Sequence, residues 1–181
     1  MTSDRLAQAV RDQVAIGRIL PLGGPADTAW ITEQAAAEVL RSAAAALGSV
    51  RITTLRIGQD GHVAADFEAT PDRPLPVTSD ALRRALWDAA HDRLGLEVTA
   101  VDLTVTGLLD EAPPPPERGP VSTDPGPGPV PGLAGVTSRL GGAGSEAYFQ
   151  IVVAAGHRAL DVARAVREMA APQSVLITDV E

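Results

Sequence analysis

The chain has 181 residues, 45% of them apolar, enough for one medium domain or two small ones with a buried core. Aromatic residues make up only 3%, so that core is expected to consist of Ala, Val, Leu and Ile, with thin helix faces that pack closely. A net charge of −8 argues against broad binding to nucleic acid or anionic lipid, and the lack of cysteine excludes disulfides, thiolate nucleophiles and Cys-based metal sites.

No stretch approaches the ~18 consecutive apolar residues of a membrane span, and MTSDRLAQAVRDQ lacks the basic start and apolar run of a signal peptide. A cytoplasmic protein is expected, with no direct membrane insertion. All 15 basic residues are arginine, which reads as the codon bias of a GC-rich bacterial genome rather than as chemistry.

Residues 4–19 place Leu6, Ala9, Val10, Gln13, Val14 and Gly17 near one side of a helix, predicting a short amphipathic helix that docks on something. LPLGGP at 20–25 reads as a turn, and residues 1–27 form an N-terminal extension. A helix is expected over 29–47, capped by Asp27 or Thr28, burying Ala36, Val39, Leu40, Ala43 and Leu47, with Trp30 as a core lid in its first turn. VRITTLRIG then predicts a strand whose two apolar parities need a bulge at Thr53 and Thr54. Asp60-Gly61 signals a two-residue hairpin, and HVAADFEA returns with Val63, Ala65 and Phe67 inward. The next helix is expected to open at Thr78, Ser79 and Asp80, to bury Leu82, Leu86 and Leu94, and to stop at Gly95. A closing strand follows from Leu96, with a bulge near Ala100 restoring one buried face. Residues 28–110 thus form a first α-β-β-α-β module.

Residues 111–132 hold nine of the chain's 15 prolines and read as a flexible tether. Residues 133–181 resemble a reduced copy of the first module: strand, hairpin, the helix RALDVARAVREMA and the strand SVLITDV, without the first helix. The fold class expected is α+β, two small modules with antiparallel or mixed sheets and helices on one face. The N-terminal helix is expected to cover the second module.

No catalytic, cofactor or metal residues stand out. His62, His91 and His157 lie in no metal-ligand pattern; His157 and Asp161 share helical spacing, better explained by an aspartate in a helix's first turn. His62, Asp66 and Glu68 share the outward side of one strand. Ser145 lies in no nucleophile elbow, and the glycines at 141–144 read as hairpin punctuation. The surface suited to a partner is a polar sheet face formed by Arg51, Thr53, Glu97, Thr99, Asp102, Thr104 and Thr106. An alternative is a small-ligand or nucleotide-binding regulatory domain that uses LPLGGP or the Gly141 to Gly144 loop.

The Ala-rich helix, Gly-Ser-Val turn, hairpin and the run DRLGLEVTAVDLTVTGLL resemble the alkaline shock or general stress protein (Gls-type) family of Gram-positive bacteria over residues 29–109. VPGLAGV and GHRALDVARAVR match more loosely. The tandem form, with LPLGGP and a proline-rich middle, is similar to high-GC Gram-positive proteins whose name is borrowed from nucleopolyhedrovirus fibrillar proteins. The resemblance implies no catalysis and no cofactor. It implies a cytoplasmic scaffold linked to envelope stress, partnered by itself or related stress-family proteins and held near the membrane by a small anchor protein.

Overall fold

The computed structural model describes residues 18–24, 26–111, 113–114, 130–140, 148–170 and 174–180. In chain order the elements are β1 (Ile19–Leu22), β2 (Ala29–Thr32), α1 (Glu33–Ala45), β3 (Val50–Ile57), β4 (His62–Ala69) and α2 (Leu75–Asp88), which continues into a wider π-type segment (Ala89–Leu94). β5 (Ala100–Leu108), β6 (Leu133–Leu140), β7 (Tyr148–Val153), α3 (Ala159–Ala170) and β8 (Ser174–Val180) follow. The fold is α+β, with one sheet in the order β3-β4-β5 and a second in the order β1-β2-β8-β7-β6.

The two halves follow one plan. β3 and β6 each pair antiparallel with the next strand, and a helix then carries the chain to a third strand parallel to the second. The register skips Thr53 in β3 and Thr137 in β6, and again Thr106 in β5 and Thr178 in β8; β6 also skips Ala134. The bulge threonines compensate for lost ladder bonds: Thr106 Oγ1 donates to Phe67 O at 3.2 Å, and Thr178 Oγ1 donates to Ile151 O at 3.2 Å. The expected bulge in the first strand is therefore present, but the one expected near Ala100 falls at Thr106.

Leu96 is not yet strand because it completes the helix cap. Gly95 adopts φ +81°, and Leu96 N–H donates to Ala90 O at 2.9 Å, so the backbone turns before it can join the ladder. At its other end α2 begins behind Pro74 with Pro76 in the first turn, not at Thr78, Ser79 and Asp80. Proline suits that turn because its fixed φ is helical and no donor is needed there. Thr78 is instead buried one turn in, its hydroxyl donating to Pro74 O. The β3–β4 connection is a three-residue loop, with Gly58 N–H donating to His62 O at 2.7 Å and Gly61 at φ +79°, rather than a two-residue turn.

The N-terminal part departs most from expectation. Leu20 to Leu22 belong to β1, not to a turn, and Ala29 to Thr32 form β2, not the first turn of a helix. β2 runs parallel to β8, with Ala29 opposite Val175 and Ile31 opposite Ile177. Thr32 caps α1 by accepting from Ala35 N–H at 3.2 Å, the role assigned from sequence to Asp27 or Thr28. The hairpin of residues 19–32 thus extends the sheet of the C-terminal half. α1 packs on both β3 and β8, so the helix missing from the second half is supplied by the first. One apolar core joins the inner faces of both sheets to the three helices. Of the helix expected over 4–19, Ile19 is strand instead, and residues up to 17 lie outside the described residues, as does most of the proline tether.

The halves meet closely at Gly95, where a Cβ would lie 2.6 Å from Leu160 Cβ. Gly95→Val combines positive-φ strain with overpacking and is expected to destabilise by about 2–4 kcal/mol. Urea denaturation checks this, and a cycle with Leu160→Ala should be non-additive, the double variant losing less than the sum.

Candidate partner-binding face

In the three-stranded sheet, Val50, Ile52, Leu55, Ile57, Val63, Ala65, Phe67 and Ala69 face the core. The opposite parity presents Arg51, Thr54 and Arg56 from β3, His62, Ala64, Asp66 and Glu68 from β4, and Ala100, Asp102 and Thr104 from β5. Two rows cross all three strands in register, Thr54–Asp66–Thr104 and Arg56–Ala64–Asp102.

Two cross-strand contacts, an Arg–Glu ion pair and a His–Asp hydrogen bond, order this surface. Arg51 Nε donates to Glu68 Oε2 at 2.8 Å, with the neighbouring Nη2 on the same oxygen, and His62 Nε2 lies 2.7 Å from Asp102 Oδ2. Both are solvent-exposed, so each contributes at most about 1 kcal/mol. They set a charge pattern rather than hold the sheet together. Along the β5 margin, Val105 and Leu108 have inward parity yet are exposed, at 39% and 62%.

The residues singled out from sequence separate into three groups. Arg51, Asp102 and Thr104 lie on the outer face. Thr53 and Thr106 are bulge residues whose hydroxyls donate to Asp66 O and Phe67 O, so their side chains are tied to the backbone. Glu97 and Thr99 precede β5 and are not on the face. Thr99 N–H donates to Gly61 O and its hydroxyl to Asp60 O, while the Glu97 carbonyl rests against Gly61. His62, Asp66 and Glu68 do not form a ladder of their own, because His62 and Glu68 find partners on the flanking strands. Thr54 and Arg56 were missed. They share the parity of Arg51 only once the extra residue at Thr53 is counted.

A second charged cluster lies at the LPLGGP turn. Gly24 N–H donates to Asp27 Oδ2 at 2.7 Å, and Arg164 of α3 grips both carboxylate oxygens at 2.7 and 3.0 Å. Arg167 Nη1 donates to Ala26 O and Asp27 O at 3.0 and 2.6 Å. The turn amide and guanidinium that could hold an external anion are thus engaged by the chain's own carboxylate. The Arg164 hydrogen bonds, helped by Gly24 N–H, hold the Asp27 carboxyl below its usual range, and Asp27 raises Arg164 in return. Sequence reading gave no signal for this cluster, since its members lie 137 positions apart.

Asp161 sits 3.8 Å from both Arg158 and Arg164, and the His157 ring packs on Gly132. Among the described residues, no group of three metal-ligating side chains occurs. Trp30 belongs to β2 and is 37% exposed, so it is not a helix lid over the core. The Gly141 to Gly144 loop and Ser145 lie outside the described residues. No family model, curated protein or solved structure matches the chain.

Because the folded state favours ionised Asp27, its stabilising contribution is present above the ordinary carboxylate value of 3.8 and is lost as pH falls through the lower folded value. Asp27→Asn should therefore lower the melting temperature at neutral pH, and the difference from the parent should vanish toward pH 2. Thermal melts of both proteins across that range check it.

Proposed function

We propose that the chain is a non-catalytic interaction protein that works by adding a partner strand to β5, the partner being a second copy of itself or a related stress-family protein. The observation that carries this reading is the inequality of two equivalent edges. In the C-terminal half the third strand, β8, pairs with β2 on its outer side. Its counterpart β5, among the described residues, pairs only with β4. An unpaired strand edge with Asp102 and Thr104 on one side and exposed Val105 and Leu108 on the other is a template for strand addition, in which main-chain hydrogen bonds give affinity and alternating side chains give selectivity.

The resemblance to the alkaline shock family adds the setting: an assembly beneath the bacterial envelope, cytoplasmic, brought to the membrane by a small anchor protein and responding to envelope stress. No helix of the described residues is long and apolar enough to cross a membrane.

Light scattering across a concentration series tests the reading. The parent should gain mass above the 18.7 kDa monomer as concentration rises, and Val105→Lys with Leu108→Lys should hold it at the monomer with little change in melting temperature, because both positions are exposed. A parent that stays monomeric at the highest concentration, or an assembly indifferent to both substitutions, would count against it.

A further inference from the structure

The outer face of the five-stranded sheet differs in kind from the charged face of the three-stranded one. Pro21, Trp30, Leu176 and Gln150 stand in register across β1, β2, β8 and β7, and Val152 has the same outward parity further along β7. Helices α1 and α3 pack on the sheet through the common core, to which the intervening Val175 and Ile177 belong. Leu176 and Val152 lie outside that core, yet they are only 8% and 0% exposed. Apolar side chains buried on a face turned away from the core require a cover of their own.

The chain offers one segment with the bulk to provide it. Residues 115–129 are mostly proline, glycine and polar residues with a single valine, while 141–147 and 171–173 carry nothing apolar larger than alanine except Pro172. Residues 1–17 carry Leu6, Val10 and Val14 at i, i+4 and i+8, and helical spacing would put Arg5, Gln8 and Asp12 on the far side. This segment leads through Arg18 directly into β1, the edge strand of the same sheet. A helix over 4–17 would be about 21 Å long, and the four strands of the row span about 14 Å.

We propose that residues 4–17 form an amphipathic helix that docks on this outer face, seating Leu6, Val10 and Val14 over Trp30, Leu176 and Val152. The C-terminal sheet is then covered on both sides, by α1 and α3 within and by the chain's own N-terminus without. This docking is independent of strand addition at β5, which lies on the other sheet.

The chain has two tryptophans, and in a Trp87→Phe background Trp30 alone reports on the face. Adding Leu6→Asp and Val10→Asp to the full chain should shift Trp30 emission to the red and raise its acrylamide quenching, with far-UV circular dichroism retained. An unchanged Trp30 spectrum in that folded variant overturns the proposal. If the variant does not fold, the absence of cysteine allows a second reading: Val10→Cys with Leu176→Cys, mildly oxidised, should give an intramolecular disulfide at monomer mass. No crosslink, or one found only at twice the chain mass, overturns the proposal equally.

Discussion

The structure depends on the junction at Thr32, where a strand of one sheet becomes, without an intervening loop, the helix that packs on the other. Thr32 is the last residue of β2 and its side chain caps α1, so the parallel register of β2 on β8 fixes where the helix starts and how it leaves the sheet. Polar contacts reinforce the corner. Glu33 N–H donates to Arg18 O at 2.8 Å, Arg18 Nη2 donates to Ile57 O at 3.2 Å, and the Arg18 and Glu33 side chains are 3.5 Å apart. The residue before β1, the start of α1 and the end of β3 are thereby tied at one point. Separating the halves would expose the face of α1 that packs on β8, which is why a sequence that reads as two modules folds around a single core.

The composition makes this sharing feasible. α1 buries Ala35, Ala36, Ala37 and Ala44 alongside Val39 and Leu40, so small side chains cover much of its circumference and backbone can approach sheet on two sides. A helix with one wide leucine stripe would serve one sheet and hold the other away. Phe67 is the only fully buried aromatic residue among those described, and the remaining core is aliphatic. Such a core gains its stability from close approach, and the Gly95 contact with Leu160 follows from the same requirement.

What was legible in the sequence was what local chemistry decides. The bulge at Thr53, the stop at Gly95, the inward parity of Val63, Ala65 and Phe67, and the four elements after the tether all follow from periodicity and turn residues. Short strands whose only reason to exist is a distant partner were illegible. Ala29–Thr32 continues an alanine-rich helical pattern and becomes strand because residues 175–177 offer it a ladder. Ile19–Leu22 runs into paired glycines and looks like a turn until β2 is there to receive it. The candidate face suffered from the same limit at smaller scale. Each bulge inverts side-chain parity beyond it, so a bulge expected near Ala100 put Glu97 and Thr99 on the face, and Thr53 and Thr106, counted as face residues, are the extra residues themselves.

The bulge at Thr106 also bears on what can be added at β5. A ladder built on this edge runs uninterrupted only from Ala100 to Val105, because the next residue is displaced and its hydroxyl is turned back onto Phe67 O. Asp102 in the middle of that run is held by His62, which keeps a charge standing at the edge and disfavours indiscriminate pairing with apolar strands. A strand that adds here must be short and must tolerate or complement that carboxylate. On β8 the corresponding edge accepts Ala29 to Ile31, a segment of the same modest length, ahead of a chain that turns away into a helix. The geometry that lets β2 complete one sheet therefore also describes the kind of segment that would complete the other: a few extended residues, then an abrupt departure from the sheet.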